Sequence, residues 1–271
     1  MSHKDAVASA RPGRERIEML VAVKAYPVRT DGHGEAVCVA GVRLDVEPPA
    51  WVRVFPVPFR RLPKDQQFRK FDVISLEVVR SADSRPESWE PRADTIAVVG
   101  AKSTKSGWLD RRQIIEPLLV RSMCEVQRRQ ALDGTSLAVF RPREILAWSV
   151  EPAPPKPPAG TQLDMFEPSL EALEDIPYKF RYRYTCRDEP ACPGHQQRVL
   201  DWELGQAYRS WRRRYGDDEG TLRAIKQKWL DEVVAADRDV MLFVGSVARY
   251  PASFCVLGVF WPPAVAEIPL F

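Results

Sequence analysis

Five prolines crowd the stretch that follows Glu151: Pro152, Pro154, Pro155, Pro157 and Pro158. Each lacks a backbone donor and fixes φ, so neither a helix nor a central strand passes through them. The run from Glu151 to Pro177, EPAPPKPPAGTQLDMFEPSLEALEDIP, therefore reads as an extended, solvated linker between two domains. It sets residues 15–150 apart from residues 178–271, and the small and polar residues 1–14 are expected to form a disordered tail. Within the linker, Gln162, Leu163, Asp164, Met165 and Phe166 form an apolar cluster with no hydrophobic neighbours to build a core. Such a cluster either staples the linker to a flanking domain or is offered to another protein.

These five residues, QLDMF, resemble the bacterial sliding-clamp-binding pentapeptide. The resemblance implies an amide contact from Gln162, a first anchor from Leu163, Asp164 at the small polar or acidic position, and a deep hydrophobic pair from Met165 and Phe166. It implies a sliding clamp as a partner, and so a place at replicating or repaired DNA.

The chain has 271 residues, 45% of them hydrophobic, which suffices for two ordinary cores. Its net charge is only +3, so any nucleic-acid surface must come from local segregation of charge. Such segregation exists: the linker is acidic, whereas Arg53 to Lys70 and Tyr178 to Tyr215 are rich in Arg and Lys. Five irregularly spaced cysteines do not make a disulfide framework, and no segment reads as a signal or a membrane span. A reduced, cytoplasmic protein with no membrane partner is expected.

In the first half, IEMLVAVKAY, AVCVAGVRLDV, WVRVFPV and DVISLEVVR are short strands bounded by Gly, Pro or Asp. This run predicts an antiparallel sheet or small barrel, and with WVRVFPVPFRRL and RPESW it resembles the OB-like barrels of prokaryotic proteins described as dual-OB. Alternation in WVRVFPV places Trp51, Arg53 and Phe55 on one face. An aromatic-Arg-aromatic face, continued by Arg60 and Arg61, suits stacked bases and a bound phosphate. The competing reading puts the aromatics in the core with the arginines at its edge. The segment GAKSTKSG lacks the spacing of a P-loop, so nucleotide hydrolysis is not expected.

In the second half, YKFRYRYTC alternates aromatics with Lys179, Arg181 and Arg183, giving a strand with one greasy and one basic side. Cys186, Cys192 and His195 follow in CRDEPACPGH, and thiolate with imidazole is a zinc donor set. A fourth ligand is open between Cys255, Asp201 and Asp188, and the alternative is two reduced cysteines beside a turn histidine without metal. Asp201 stands before an apolar stripe of Leu204, Tyr208, Trp211 and Tyr215, so it reads as a helix cap. Arg209, Arg212 and Arg213 fall on one face of that helix as a candidate phosphate comb. DVMLFVGSVA and SFCVLGVFW read as apolar strands that are buried on both faces or lie centrally in a sheet. The second half also resembles, through CPGH, DWE, LFVGS and VLGVFWPP, prokaryotic proteins of which some lie near defence genes.

The expected fold is α+β: an N-terminal OB-like barrel, then a small C-terminal sheet packed by two helices. The expected function is binding of nucleic acid, DNA above RNA, in replication, repair or defence. Two rivals are a metal-dependent nuclease built on His195, Asp201 and Glu203, and an adaptor that touches only proteins.

Overall fold

The computed structural model describes residues 13–25, 28–30, 34–154 and 176–265. The first strands are β1 (Glu15–Lys24), β2 (Val28–Thr30), β3 (Gly34–Arg43), β4 (Ala50–Val57), β5 (Asp72–Arg80), β6 (Ser88–Pro91) and β7 (Ala97–Ala101). Hydrogen bonding runs β1-β3-β4-β6-β5 and returns from β5 to β1, which closes a five-strand barrel. The β4–β6 pair is parallel and the other pairs around the ring are antiparallel. Alternation decides its filling: Met19, Val21, Val39, Val52, Val54, Ile74 and Leu76 point inward and are buried. The barrel closes tightly at Gly41, where a Cβ would stand 2.0 Å from the Leu20 carbonyl oxygen, so only glycine fits.

The rest of the chain supplies α1 (Lys105–Ile115), β8 (Leu119–Val120), α2 (Met123–Asp133), β9 (Leu137–Phe140), β10 (Pro142–Pro152), β11 (Tyr178–Cys186) and β12 (His195–Arg198). It ends with α3 (Trp202–Tyr215), α4 (Asp218–Lys226), β13 (Met241–Val247) and β14 (Tyr250–Phe260). These strands form two sheets, ordered β10-β11-β12 and β14-β13-β9-β8, in place of the single small sheet expected. The strand at Tyr178 joins the first of them, because β10 offers it a full-length antiparallel partner from Pro142↔Cys186 to Pro152↔Tyr178. Strands β9 and β10, which precede the proline run, thus pair with β13 and β11, which follow it. The proline run leaves from the end of β10 and returns at the start of β11, where Ala153 N–H donates to the Pro177 carbonyl at 2.8 Å. It connects two neighbouring strands of one sheet.

The β14-β13-β9-β8 sheet is the middle layer. On β9 and β13, Leu137, Val139, Met241 and Phe243 pack against the outer face of the barrel at Leu20, Ala22, Ala40, Val42 and Val73. The alternate residues Ala138, Phe140, Leu242 and Val244 face the other way, onto Phe180, Tyr182 and Tyr184 of β11 and onto α2, α3 and α4. Both faces are apolar because both are covered, which is why these strands read as unbroken hydrophobic runs. Each fully buried Leu, Val or Phe there contributes about 1.5–3 kcal/mol. No helix among the described residues is long and apolar enough to cross a membrane.

Where α3 meets the barrel, charge is buried. Asp201 caps α3 by accepting from Glu203 N–H at 2.8 Å and forms an isolated bridge with Ala25. Lys24 donates to the Phe68 carbonyl at 3.0 Å and lies 4.2 Å from the centre of the Phe59 ring, while Lys70 donates to the Val259 carbonyl at 2.9 Å. Burial pushes the Asp201 carboxyl up to about 7, against the pull of Lys70 and Lys24. A folded value above the unfolded one means that the folded state holds this proton more tightly. The resulting stability is complete below about pH 4 and is lost as pH rises towards 7. Asp201→Asn, which keeps the capping oxygen, should flatten that decline relative to the unaltered protein in urea midpoints measured between pH 4 and 7. Parallel pH profiles for the two proteins would show that Asp201 is ionised throughout.

Candidate metal centre

Cys124, Cys186, Cys192 and His195 converge, and their ligand atoms all lie within 4.8 Å of one another. Local chemistry brings each one there. Ser122 caps α2 by accepting from Glu125 N–H at 3.1 Å, which fixes Cys124 in the first turn of the helix. Cys186 is the last residue of β11, and the chain then turns back through left-handed Asp188 (φ 57°) and Gly194 (φ 85°) to begin β12 at His195. Glu189 binds this turn to α2: its carboxylate accepts from Ser122 Oγ at 3.1 Å and from Arg128 at 2.5 Å, and its carbonyl accepts from Cys192 N–H at 2.9 Å.

His195 Nε2 stands 3.4 Å from Cys124 Sγ, and the ring lies 5.4 Å from that of Tyr184. Burial lowers the His195 pKa, which favours the neutral imidazole that metals bind. Burial first, and then the neighbouring Cys186 sulfur, push the Cys124 thiol up to about 12. Burial also raises Cys186, although the Met123 and Cys124 amides oppose it. Burial acts the same way on Cys192, but backbone N–H groups of Cys186 and Gly194 outweigh it and the net direction is downward. Three crowded thiols resist ionising together, and a divalent cation between them reverses that preference. A tetrahedral ion with bonds of about 2.0–2.3 Å spaces its ligands about 3.5–3.8 Å apart, so the four atoms need close in by no more than about 1 Å. All four positions would be filled by protein, as in a structural centre.

The fourth member is Cys124, in place of Cys255, Asp201 or Asp188. Cys255 lies on β14, Asp201 caps α3, and Asp188 sits in the turn without entering the cluster. Glu203 is exposed in the first turn of α3. The nuclease group His195, Asp201 and Glu203 is therefore not assembled around one metal position among the described residues.

The arginine tracks also need correction. Arg53 is 3% exposed and points from β4 into the second unit, donating to the Ser136 carbonyl and hydroxyl at 3.0 Å each and to the Ser246 carbonyl at 3.4 Å. Trp51 packs edge-on to Phe243 at 6.1 Å, and Phe55 lines a cavity beside Trp89. Two of the three residues expected to form the base-stacking face, Trp51 and Arg53, are thus turned onto the middle sheet. Arg60 and Arg61 lie in a short 3-10 turn beyond β4. On α3, Arg209 is buried and Arg212 pairs with Asp218 at 2.8 Å, which leaves Arg213 exposed and breaks the three-arginine comb. By contrast, β11 directs Phe180, Tyr182 and Tyr184 inward, with Lys179, Arg181 and Arg183 on the opposite side. Residues Gln162, Leu163, Asp164, Met165 and Phe166 lie outside the described residues.

Protein purified without chelator should carry one divalent ion per chain by elemental analysis. Cys124→Ser should lose it and at least about 3 kcal/mol of stability, while Cys255→Ser should keep both. Equal metal content in the two variants would remove Cys124 from the site.

Residues 15–117 match the family model described as a domain of unknown function, DUF8758. No curated protein matches the chain. A murine DNA-binding protein solved with double-stranded DNA is 9% identical, with a TM-score of 0.30 over 93% of this chain and 97% of that one, too slight an overlap to bear on fold or function. Residues 120–271, more than half of the chain and all four cluster residues, match a second model, and the chain belongs to that family, the domain of unknown function DUF8757.

Proposed function

We propose that this is a nucleic-acid-binding protein, with DNA the favoured partner, that presents a basic β-sheet face held in shape by a structural zinc ion. Zinc suits three thiolates and one imidazole in a closed tetrahedral set. The observation that carries the reading is a pair of like charges. Arg181 on β11 lies directly opposite Arg198 on β12, with Arg183 two residues along. Cross-strand neighbours have Cβ atoms about 5 Å apart, and like charges so placed oppose folding. Among the described residues, the acid that meets this pair is Glu151, which Arg181 reaches at 3.3 Å from the edge of the sheet. A polyanion supplies the missing counter-charge, and phosphate contacts of this kind need no base-specific chemistry.

Binding of a labelled single-stranded oligonucleotide should weaken steeply with salt. Arg181→Ala, Arg183→Ala and Arg198→Ala together should reduce the slope of log K against log salt by about 2. Salt-insensitive binding, or a slope unchanged in the triple variant, would rule out this face.

Recruitment by a sliding clamp belongs to the same proposal. Its support is the resemblance of Gln162 to Phe166 together with the way the segment is tethered, since both ends are held at one edge of a sheet. A connection of this length between paired strands is long for a structural turn and suits display of a peptide. Met165→Ala with Phe166→Ala should abolish capture on an immobilised clamp and leave the oligonucleotide affinity unchanged. Retained capture would rule out the pentapeptide.

A further inference from the structure

Beside the metal cluster, the outer surface of β12 and the start of β14 enclose an open cavity of about 350 Å³. Arg181, Arg198, His195, Gln127, Gln196 and Ser253 contribute polar groups to its wall, and no carboxylate lines it. The cavity by Phe55 and Trp89 differs in this respect, since Asp83 and Glu90 stand in its wall. Two arginines therefore line a recess ringed by neutral hydrogen-bonding side chains, Arg181 also pairing with Glu151 at 3.3 Å, a combination matched to an oxyanion.

Arg198 has no hydrogen-bond or ion-pair partner among the described residues, and Arg181 opposite it can only repel it. Burial first, and the Arg181 charge as well, lower the Arg198 pKa, although the nearby Cys255 sulfur acts the other way. His195 belongs to both sites. Its Nε2 faces Cys124 Sγ, and among the described residues Nδ1 has no hydrogen-bond acceptor. Metal-bound imidazoles hand their second N–H to a fixed acceptor, which an anion in this cavity would provide.

We propose that this cavity is a phosphate seat, taking one phosphate oxyanion between Arg181 and Arg198 at a fixed distance from the metal centre. That the phosphate belongs to a nucleic-acid strand rests on the function proposed above; the seat itself rests on the wall of the cavity. It would fix the register of a bound strand, where Arg183, outside the cavity, adds only general attraction.

The test uses the metal-loaded full chain, titrated with inorganic phosphate by calorimetry and then with a labelled oligonucleotide in competition with phosphate. Phosphate should bind at one saturable site and displace the oligonucleotide. Arg198→Gln and Arg181→Gln should each weaken phosphate binding at least about tenfold, and Arg183→Gln should leave it unchanged while weakening the oligonucleotide. Metal content and circular dichroism of each variant confirm that it is folded. An equal loss in Arg183→Gln, or no saturable phosphate site, overturns the seat even where the oligonucleotide still binds. Phosphate binding without oligonucleotide binding keeps the seat, assigns it to a free phosphate compound, and overturns the nucleic-acid function.

Discussion

The structure depends on one sheet being buried on both sides. Strands β9, β13 and β14 run between the barrel and the β10-β11-β12 sheet, and alternate residues serve alternate cores. Phe243 and Leu242 are neighbours in sequence, yet one packs on the barrel and the other on the helices. Because the side-chain period is two, a slip of one residue would exchange the two sets and strand both. This layer also determines what the rest of the surface can do, because covering the outer barrel face removes it from solvent.

Burial of that face explains the fate of its charges. A guanidinium withdrawn from water must find partners, and Arg53 finds them in Ser136 and Ser246, with Glu87 binding Ser136 in turn at 2.7 Å. On α1, Arg112 reaches Asp239 at 2.7 Å and Glu116 at 2.6 Å, and Arg141 joins the same two acids. Such groups favour one docking geometry between barrel and middle sheet. The basic side of β11 and β12 stays at the surface, with Arg183 and Arg198 exposed.

Much of this was legible in the sequence wherever a pattern was local. YKFRYRYTC carried its greasy and basic sides in plain alternation, and Asp201 stood where a helix had to begin. Two thiols and an imidazole within ten residues marked the metal turn. Cys124 could not be found by spacing, since it lies 62 residues before Cys186 and meets it only because β10 and β11 pair. The local signal was Ser122 and Glu125 around it, which mark a helix start. Arg53 misled for the opposite reason: alternation fixes which face a residue occupies but not what later covers that face. The prolines misled in the same way, because a strand breaker looks alike between domains and between paired strands.

The Cys124, Cys186, Cys192 and His195 cluster and the basic face share the β11–β12 hairpin. Strand β11 carries Arg181 and Arg183 and ends in Cys186, while β12 starts at His195 and carries Arg198. The β11–β12 pairing spans four register positions, and its outward Arg181 and Arg198 repel one another. An ion joining Cys186 to His195 would brace the turn that connects these two strands, with Cys124 tying that turn to α2. The register Tyr184↔His195 then fixes Arg181↔Arg198 three residues further along. Loss of the ion would allow the register to drift, and a one-residue slip would turn Arg198 towards Tyr182 and the core. Metal binding at the cluster would thus help hold the proposed anion-binding pair side by side.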